Sequence, residues 1–177
     1  MLARAQFVKG GRMLGIVLAA MIAGCGFHLR GTANLPQESL YISGPAYSPF
    51  ANDLKRAILA GTGTRIADDA AEADATLFIL GENRAKLILT LTQQGTVREF
   101  QLRYSVVYRL ADKAGKEIIS TSEIVTVRSY VYNDQSVLAS ESEETVLFRD
   151  MQQDAVQQLL RRLSSPANRP AAAPRPT

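Results

Sequence analysis

Three long strand-like stretches, residues 75–92, 97–110 and 117–132, follow one another with only short links between them. At about 3.3 Å per residue they would reach roughly 45–55 Å, well beyond the usual strand of about 5–6 residues. The middle stretch alternates without interruption. Phe100, Leu102, Tyr104, Val106, Tyr108 and Leu110 share one face, and Glu99, Gln101, Arg103, Ser105 and Arg109 share the other. The links at Gln93-Gln94-Gly95-Thr96 and Asp112-Lys113-Ala114-Gly115 are short and contain glycine, so both predict hairpins. A chain with this core folds as an antiparallel meander buried on one face.

The flanking residues supply the cover. Ser39 to Ser43 predicts a short strand, closed by Gly44-Pro45. Ser48-Pro49 starts a helix, because serine caps the free amides and proline fits the first turn. Phe50, Leu54, Ala57 and Ile58 recur at helical spacing, and Gly61 is a stop. Residues 62–74 are polar and predict a loop. A second helix is expected over residues 136–163, with Leu138, Leu147, Met151, Ala155, Leu159 and Leu163 approximating one stripe. Residues 164–177, rich in proline and alanine, predict a disordered tail. The expected fold is α+β, a two-layer sandwich with two helices on one face of a four-stranded mixed sheet, in the order β-α-β-β-β-α. The first strand enters through a helical crossover, which favours a parallel neighbour. The other sheet face is expected to be polar and uncovered.

Centring the hairpins between Gln94 and Gly95, and between Lys113 and Ala114, fixes an expected register. Lys86 then pairs with Arg103, Leu87 with Leu102, and Leu89 with Phe100. Arg98 faces Ser129, and Glu99 faces Arg128. This register places Arg84, Lys86, Arg103 and Arg128 on the polar face. Lys86 and Arg103 side by side would repel one another, and a phosphate or carboxylate on a ligand would offset that. Lys86, Arg103, Arg98 and Arg128 are therefore the candidate anion-binding residues.

The N-terminus constrains location. Arg4, Lys9 and Arg12 precede an apolar run from Met13 to Ile22, and Ile22-Ala23-Gly24 leads into Cys25, the single cysteine. This is a secretory leader over residues 1–24. The small residues before one cysteine resemble a bacterial lipobox, which implies S-diacylglyceryl and N-acyl groups on Cys25 and a lipidated tether over residues 25–38. Multiple acyl chains make a stable anchor, at about 0.8 kcal/mol per buried CH₂. Without the leader the chain holds 17 basic and 17 acidic residues, so its apparent basicity is no argument for nucleic acid. A lipidated Cys25 leaves no thiol for disulfide, metal or redox chemistry. The single histidine, His28, sits on the tether beside the anchor. No GxSxG, P-loop or GxGxxG motif is present, and the acidic group Glu141, Glu143 and Glu144 fits a solvated helix face. No enzymatic activity and no cofactor beyond the covalent lipid are expected.

Cys25-Gly26-Phe27-His28-Leu29-Arg30-Gly31 resembles the mature start of the LptE family of lipopolysaccharide-assembly lipoproteins. The resemblance continues through Arg128-Ser129-Tyr130-Val131-Tyr132-Asn133 into Gln157-Gln158-Leu159-Leu160-Arg161-Arg162-Leu163, and covers Cys25 to Leu163. It implies a non-enzymatic, lipid-anchored protein of the outer membrane, facing the periplasm and the lumen of an LptD-type β-barrel that it plugs at about one to one. It implies that the pair receives lipopolysaccharide and inserts it into the outer leaflet. Gly26 after the cysteine agrees with outer-membrane sorting in many such lipoproteins. One departure is notable. Family members can carry basic residues in the turn between the second and third strands and at the start of the last helix. Here Thr92-Gln93-Gln94-Gly95 and residues 136–142 hold no Lys or Arg, so no ligand site transfers from the family. The competing reading is a generic envelope lipoprotein that scaffolds another machine by strand addition.

Changing Cys25 to Ala is expected to abolish lipidation. Intact-mass measurement of the envelope protein should then lack the acyl and diacylglyceryl additions, and an unchanged lipidated mass would remove the lipobox reading.

Overall fold

The computed structural model describes residues 35–165; the leader, Cys25, the tether up to residue 34 and the tail from residue 166 lie outside the described residues. The elements are β1 (Ser39–Ser43), α1 (Pro49–Gly61), β2 (Arg65–Ile66), β3 (Ala75–Leu91), β4 (Val97–Asp112), β5 (Glu117–Val131) and α2 (Val137–Leu163). The sheet order is β2-β1-β3-β4-β5. β1 pairs in parallel with β3, and β3, β4 and β5 form the antiparallel meander.

The sheet has five strands, not four. The extra strand, β2, lies within the stretch predicted as a loop and runs parallel to β1. Two residues are too few to show an alternation. The strand is held instead by its surroundings: Arg65 N donates to Glu38 O at 2.9 Å, and Ala67 N to Leu40 O at 3.0 Å. The Asp74 carboxylate accepts from both Ser39 N (2.9 Å) and Ser39 Oγ (2.8 Å), tying the entry of β3 to the start of β1. Just before β1, Leu35 packs on the core and the Gln37 carbonyl accepts from Thr64 Oγ1.

The helix starts follow from the residues. Ser48 Oγ accepts from Ala51 N at 3.0 Å, with Pro49 in the first turn. Phe50, Leu54 and Ile58 of α1 are fully buried against Leu40, Leu77, Tyr104, Tyr108 and Leu110 of the sheet. α2 is about 40 Å long at 1.5 Å per residue. It buries Phe148, Met151, Ala155, Val156, Leu159, Leu160 and Leu163 in the same core. In its first turn only Ser140 is buried, and Leu138, expected on the buried stripe, is 82% exposed.

The expected registers are overturned in the outer halves of the strands. Both hairpins close around three residues rather than two. Thr92 N bonds Thr96 O and Asp112 N bonds Lys116 O, with Gly95 and Gly115 at φ 79° and 82°. Glycine adopts that left-handed conformation without a Cβ clash, and the three-residue turn moves each register by one. β5 then carries two further irregularities between its partners of Tyr108 and Ala111. Lys86 consequently pairs with Leu102 and Ala85 with Arg103; Leu102 also pairs with Arg128, and Gln101 with Ser129. An odd shift exchanges the faces of a strand. Lys86, Arg84 and Arg128 therefore lie on the helix-facing side, and only Arg103 lies on the open side.

β3 accommodates this with a bulge. Ile79 pairs with Tyr108 and Gly81 with Val107, leaving Leu80 as the extra residue. Before it, Ala75, Leu77 and Ile79 point into the core. After it, Glu82, Arg84 and Lys86 take the inner side, and Leu87 turns outward with 51% exposure.

One truncation separates these registers, with a second as its reference. Leu102→Ala is expected to cost about 2–5 kcal/mol of unfolding free energy, as a core leucine. Leu87→Ala is expected to stay within about 0.5 kcal/mol, as a surface site. Urea denaturation checks both, and a large loss at Leu87 would restore the register with Leu87 buried.

Candidate functional site

The outer half of the sheet is the part of the fold that remains unfinished. β1 pairs only with residues 75–78 of β3, so β3 from Gly81 onward is bonded on one side, to β4. β5 is the opposite edge of the sheet, with one side unpaired along its 15 residues. On the uncovered face, Leu87 of β3, Gln101 and Arg103 of β4, and Val127 and Val131 of β5 stand together by register. Leu87, Val127 and Val131 are exposed there; toward the hairpin tip Leu89 and Leu91 are exposed as well, and so is Ile88, which pairs with Phe100 on the helix-facing side. This face is thus mixed rather than polar, a correction that follows from the inverted registers. Exposed aliphatic side chains beside free strand edges mark an interaction site, because unpaired amides and carbonyls template further pairing.

The inner side of the same half is a polar layer under α2. Lys86 Nζ lies 2.5 Å from Glu144 Oε2 and 4.2 Å from the Phe100 ring centroid. Tyr130 OH donates to the same Glu144 oxygen at 3.0 Å, and Phe100 stacks on Tyr130 with centroids 5.8 Å apart. Arg128 reaches Asp154 at 2.5 Å. Arg84 donates to Gln152 Oε1 at 2.8 Å and lies over the rings of Tyr104 and Phe148. Glu82 accepts from Tyr104 OH and from Ser48 Oγ, both at 2.9 Å. Gln152 Nε2 donates to Asp53 Oδ2 at 2.7 Å, which joins α1 to α2.

The four predicted cations are therefore not brought together. Lys86 and Arg128 are matched to acids on α2. Arg103 sits on the open face, 3.6 Å from Glu123. Arg98 is exposed near the hairpin tip, where its carbonyl accepts from Tyr132 N at 2.9 Å. The repulsion between Lys86 and Arg103 that motivated an anion is absent, since their side chains leave opposite faces. The Glu82–Arg84–Gln152–Asp53 network was not anticipated, because its members meet only once the bulge has turned β3 over. Among the described residues no helix is long and apolar enough to cross a membrane, and no cluster of His, Cys, Asp and Glu is placed to hold a metal.

Protonation in this layer has one sign. Burial, then the Glu82 hydrogen bond, pushes the Tyr104 phenol far above its ordinary value. Burial is also the main cause that raises Tyr130; the hydrogen bond with Lys86 pulls it down and the one with Glu144 pushes it up, and the net direction is upward. For Lys86 burial acts downward, but bonds to Glu144 and Tyr130 outweigh it and the pKa is raised. In all three the folded state keeps a proton that the unfolded chain releases near pH 10. Their contribution is complete below about pH 10 and falls as pH rises above it. Unfolding free energy is expected to be level from neutral pH to that point and to decline beyond it, with a shallower decline in Tyr104→Phe. Lys86→Gln is expected to cost about 0.5–1 kcal/mol at neutral pH, the scale of a partly exposed pair. No loss in urea denaturation would sever Lys86 from Glu144.

The sequence profile of LptE, described as lipopolysaccharide-assembly, matches residues 37–163. The LPS-assembly lipoprotein LptE of Yersinia pestis (strain Pestoides F) is 32% identical over 159 residues, spanning 86% of this chain and 75% of that protein. In structure, the chain is similar to a lipoprotein B of Nitrosomonas europaea solved by NMR. The TM-score is 0.70 at 41% identity, covering 78% of this chain and 90% of that one. A minor lipoprotein of Acinetobacter baumannii superposes with a TM-score of 0.60 at 28% identity, covering 77% and 97%. With the profile spanning the whole folded domain and the identity extending across it, the chain belongs to the LptE family of lipopolysaccharide-assembly lipoproteins.

Proposed function

We propose that this domain is a non-enzymatic plug, anchored to the outer membrane through lipids on Cys25, that occupies an LptD-type β-barrel at about one to one. In this reading it supports assembly of that barrel and takes part in delivering lipopolysaccharide to the outer leaflet. The observation that carries the proposal is the unfinished outer half of the sheet. An exposed apolar patch next to two free strand edges is an aggregation hazard in a solitary domain and a contact surface in a complex. A barrel wall offers both partners such a surface needs, extended backbone for the edges and side chains for the mixed face. A binding role rather than turnover is supported by the polar layer under α2, where Glu82, Lys86, Arg128, Glu144 and Asp154 are engaged in structural pairs. Of the candidate cations, Arg98 and Arg103 are the ones this reading assigns to lipopolysaccharide phosphates, because Lys86 and Arg128 are matched to α2.

Purification of the tagged chain from its native envelope in mild detergent should bring one large β-barrel protein at near one-to-one ratio by mass spectrometry. A soluble partner without any barrel would favour the scaffold reading. The double change Leu87→Asp and Val127→Asp is expected to reduce barrel recovery several-fold with the melting temperature unaltered. Full recovery would move the contact surface elsewhere.

A further inference from the structure

The helix layer contains a cleft of about 850 Å³ that neither the strand edges nor the open face reach. Pro49, Asp53 and Ala57 of α1 form one wall, and Thr145, Arg149, Gln153 and Gln157 of α2 form the other. Both walls are i, i+4 ridges, so each presents its side chains in a row to the other. Arg84 and the nearly buried Gln152 close the floor, 2.8 Å apart.

The carboxylates of this cleft are already engaged. Asp53 pairs with Arg56 and accepts from Gln152, and Asp154 pairs with Arg128. The donors are only partly engaged. Arg149 has no acidic partner among the described residues, Arg84 directs one guanidinium nitrogen to Gln152 and lies 3.8 Å from Glu82 through that same nitrogen, and the amides of Gln153 and Gln157 line the wall. Counting Arg128 and Glu82 with their partners, four arginines face three carboxylates, and Arg149 is the surplus charge. A pocket with surplus donors and net positive charge takes a ligand rich in oxygen acceptors. Its volume lies in the range of sites for small organic molecules, well above what a lone inorganic ion requires. We infer that this cleft binds a phosphorylated saccharide, with Arg149 and Arg84 on the phosphate and Gln153 and Gln157 on sugar hydroxyls. The inference extends the proposed role in lipopolysaccharide delivery, whose headgroup carries this chemistry, to a site away from the hairpin tip.

The test titrates the folded, unlipidated domain with glucosamine 1-phosphate, with inorganic phosphate and with lipopolysaccharide, reading backbone amide shifts by NMR. Saturable shifts centred on residues 149–157 and 53–57 with the sugar phosphate are expected, weaker with inorganic phosphate. Arg149→Gln should weaken binding of the sugar phosphate on the order of tenfold at unchanged melting temperature, with Arg149→Lys restoring part of it. If lipopolysaccharide produces the same shifts, the headgroup is the source; if only the free sugar phosphate does, the cleft serves a soluble ligand. No shift in the cleft with any probe, or equal affinity in Arg149→Gln, overturns the inference. Lipopolysaccharide binding lost in Arg98→Gln but intact in Arg149→Gln overturns it while leaving the plug proposal standing.

Discussion

Leu80 is one residue more than β4 can pair with, and by bulging it exchanges the two faces of β3 half-way along the strand. Without it, Leu87 would point at α2, and Arg84 and Lys86 would point away. α2 is not built to receive a leucine there: it presents Glu144, Gln152 and Asp154 toward the sheet, and these meet Lys86, Arg84 and Arg128. The bulge thus matches a sparsely apolar helix to a polar half-strand. In doing so it leaves aliphatic residues on the face that no helix covers.

The domain is accordingly two structures end to end. The inner half is an ordinary close-packed core, in which Phe50, Leu54, Ile58, Leu77, Tyr104, Tyr108, Leu110 and Leu159 exclude solvent. The outer half is held to α2 by hydrogen bonds and partly exposed ion pairs. Such pairs contribute little net stability, but they fix where the helix lies, because a slipped helix would leave charges unmatched over aromatic rings. That arrangement suits a domain whose outer half is completed by something else. The proposed barrel partner would supply the missing strand neighbours and cover Leu87, Val127 and Val131.

Much of this was legible in the residues. The unbroken alternation of β4 identifies its buried face, and Leu102, Tyr104, Val106, Tyr108 and Leu110 are buried as expected. Ser48-Pro49 marks the start of α1 because capping chemistry is local. The parallel entry of β1 and the antiparallel meander follow from connection lengths. What was hidden depends on single residues. A three-residue turn with glycine in the left-handed conformation differs from a two-residue turn by one position, yet that position inverts a face. Around Leu80 the only hint is the polar interruption Gly81-Glu82-Asn83. Leu87-Ile88-Leu89 has no alternation from which a face could be chosen. The cations were misplaced for this reason alone, and the Glu82–Gln152–Asp53 network was invisible because its members are brought together by the bulge.

Amide hydrogen exchange across β3, compared between the isolated domain and the complex recovered from the envelope, bears most directly on the claim that the outer half is the contact surface. The account predicts that residues 81–91 exchange fast in isolation, where one strand edge is free, and become protected by orders of magnitude in the complex, while residues 102–110 of β4 are protected in both. Equal exchange of residues 81–91 in the two states, with protection appearing only along α1 and α2, would contradict it and place the partner on the helix layer.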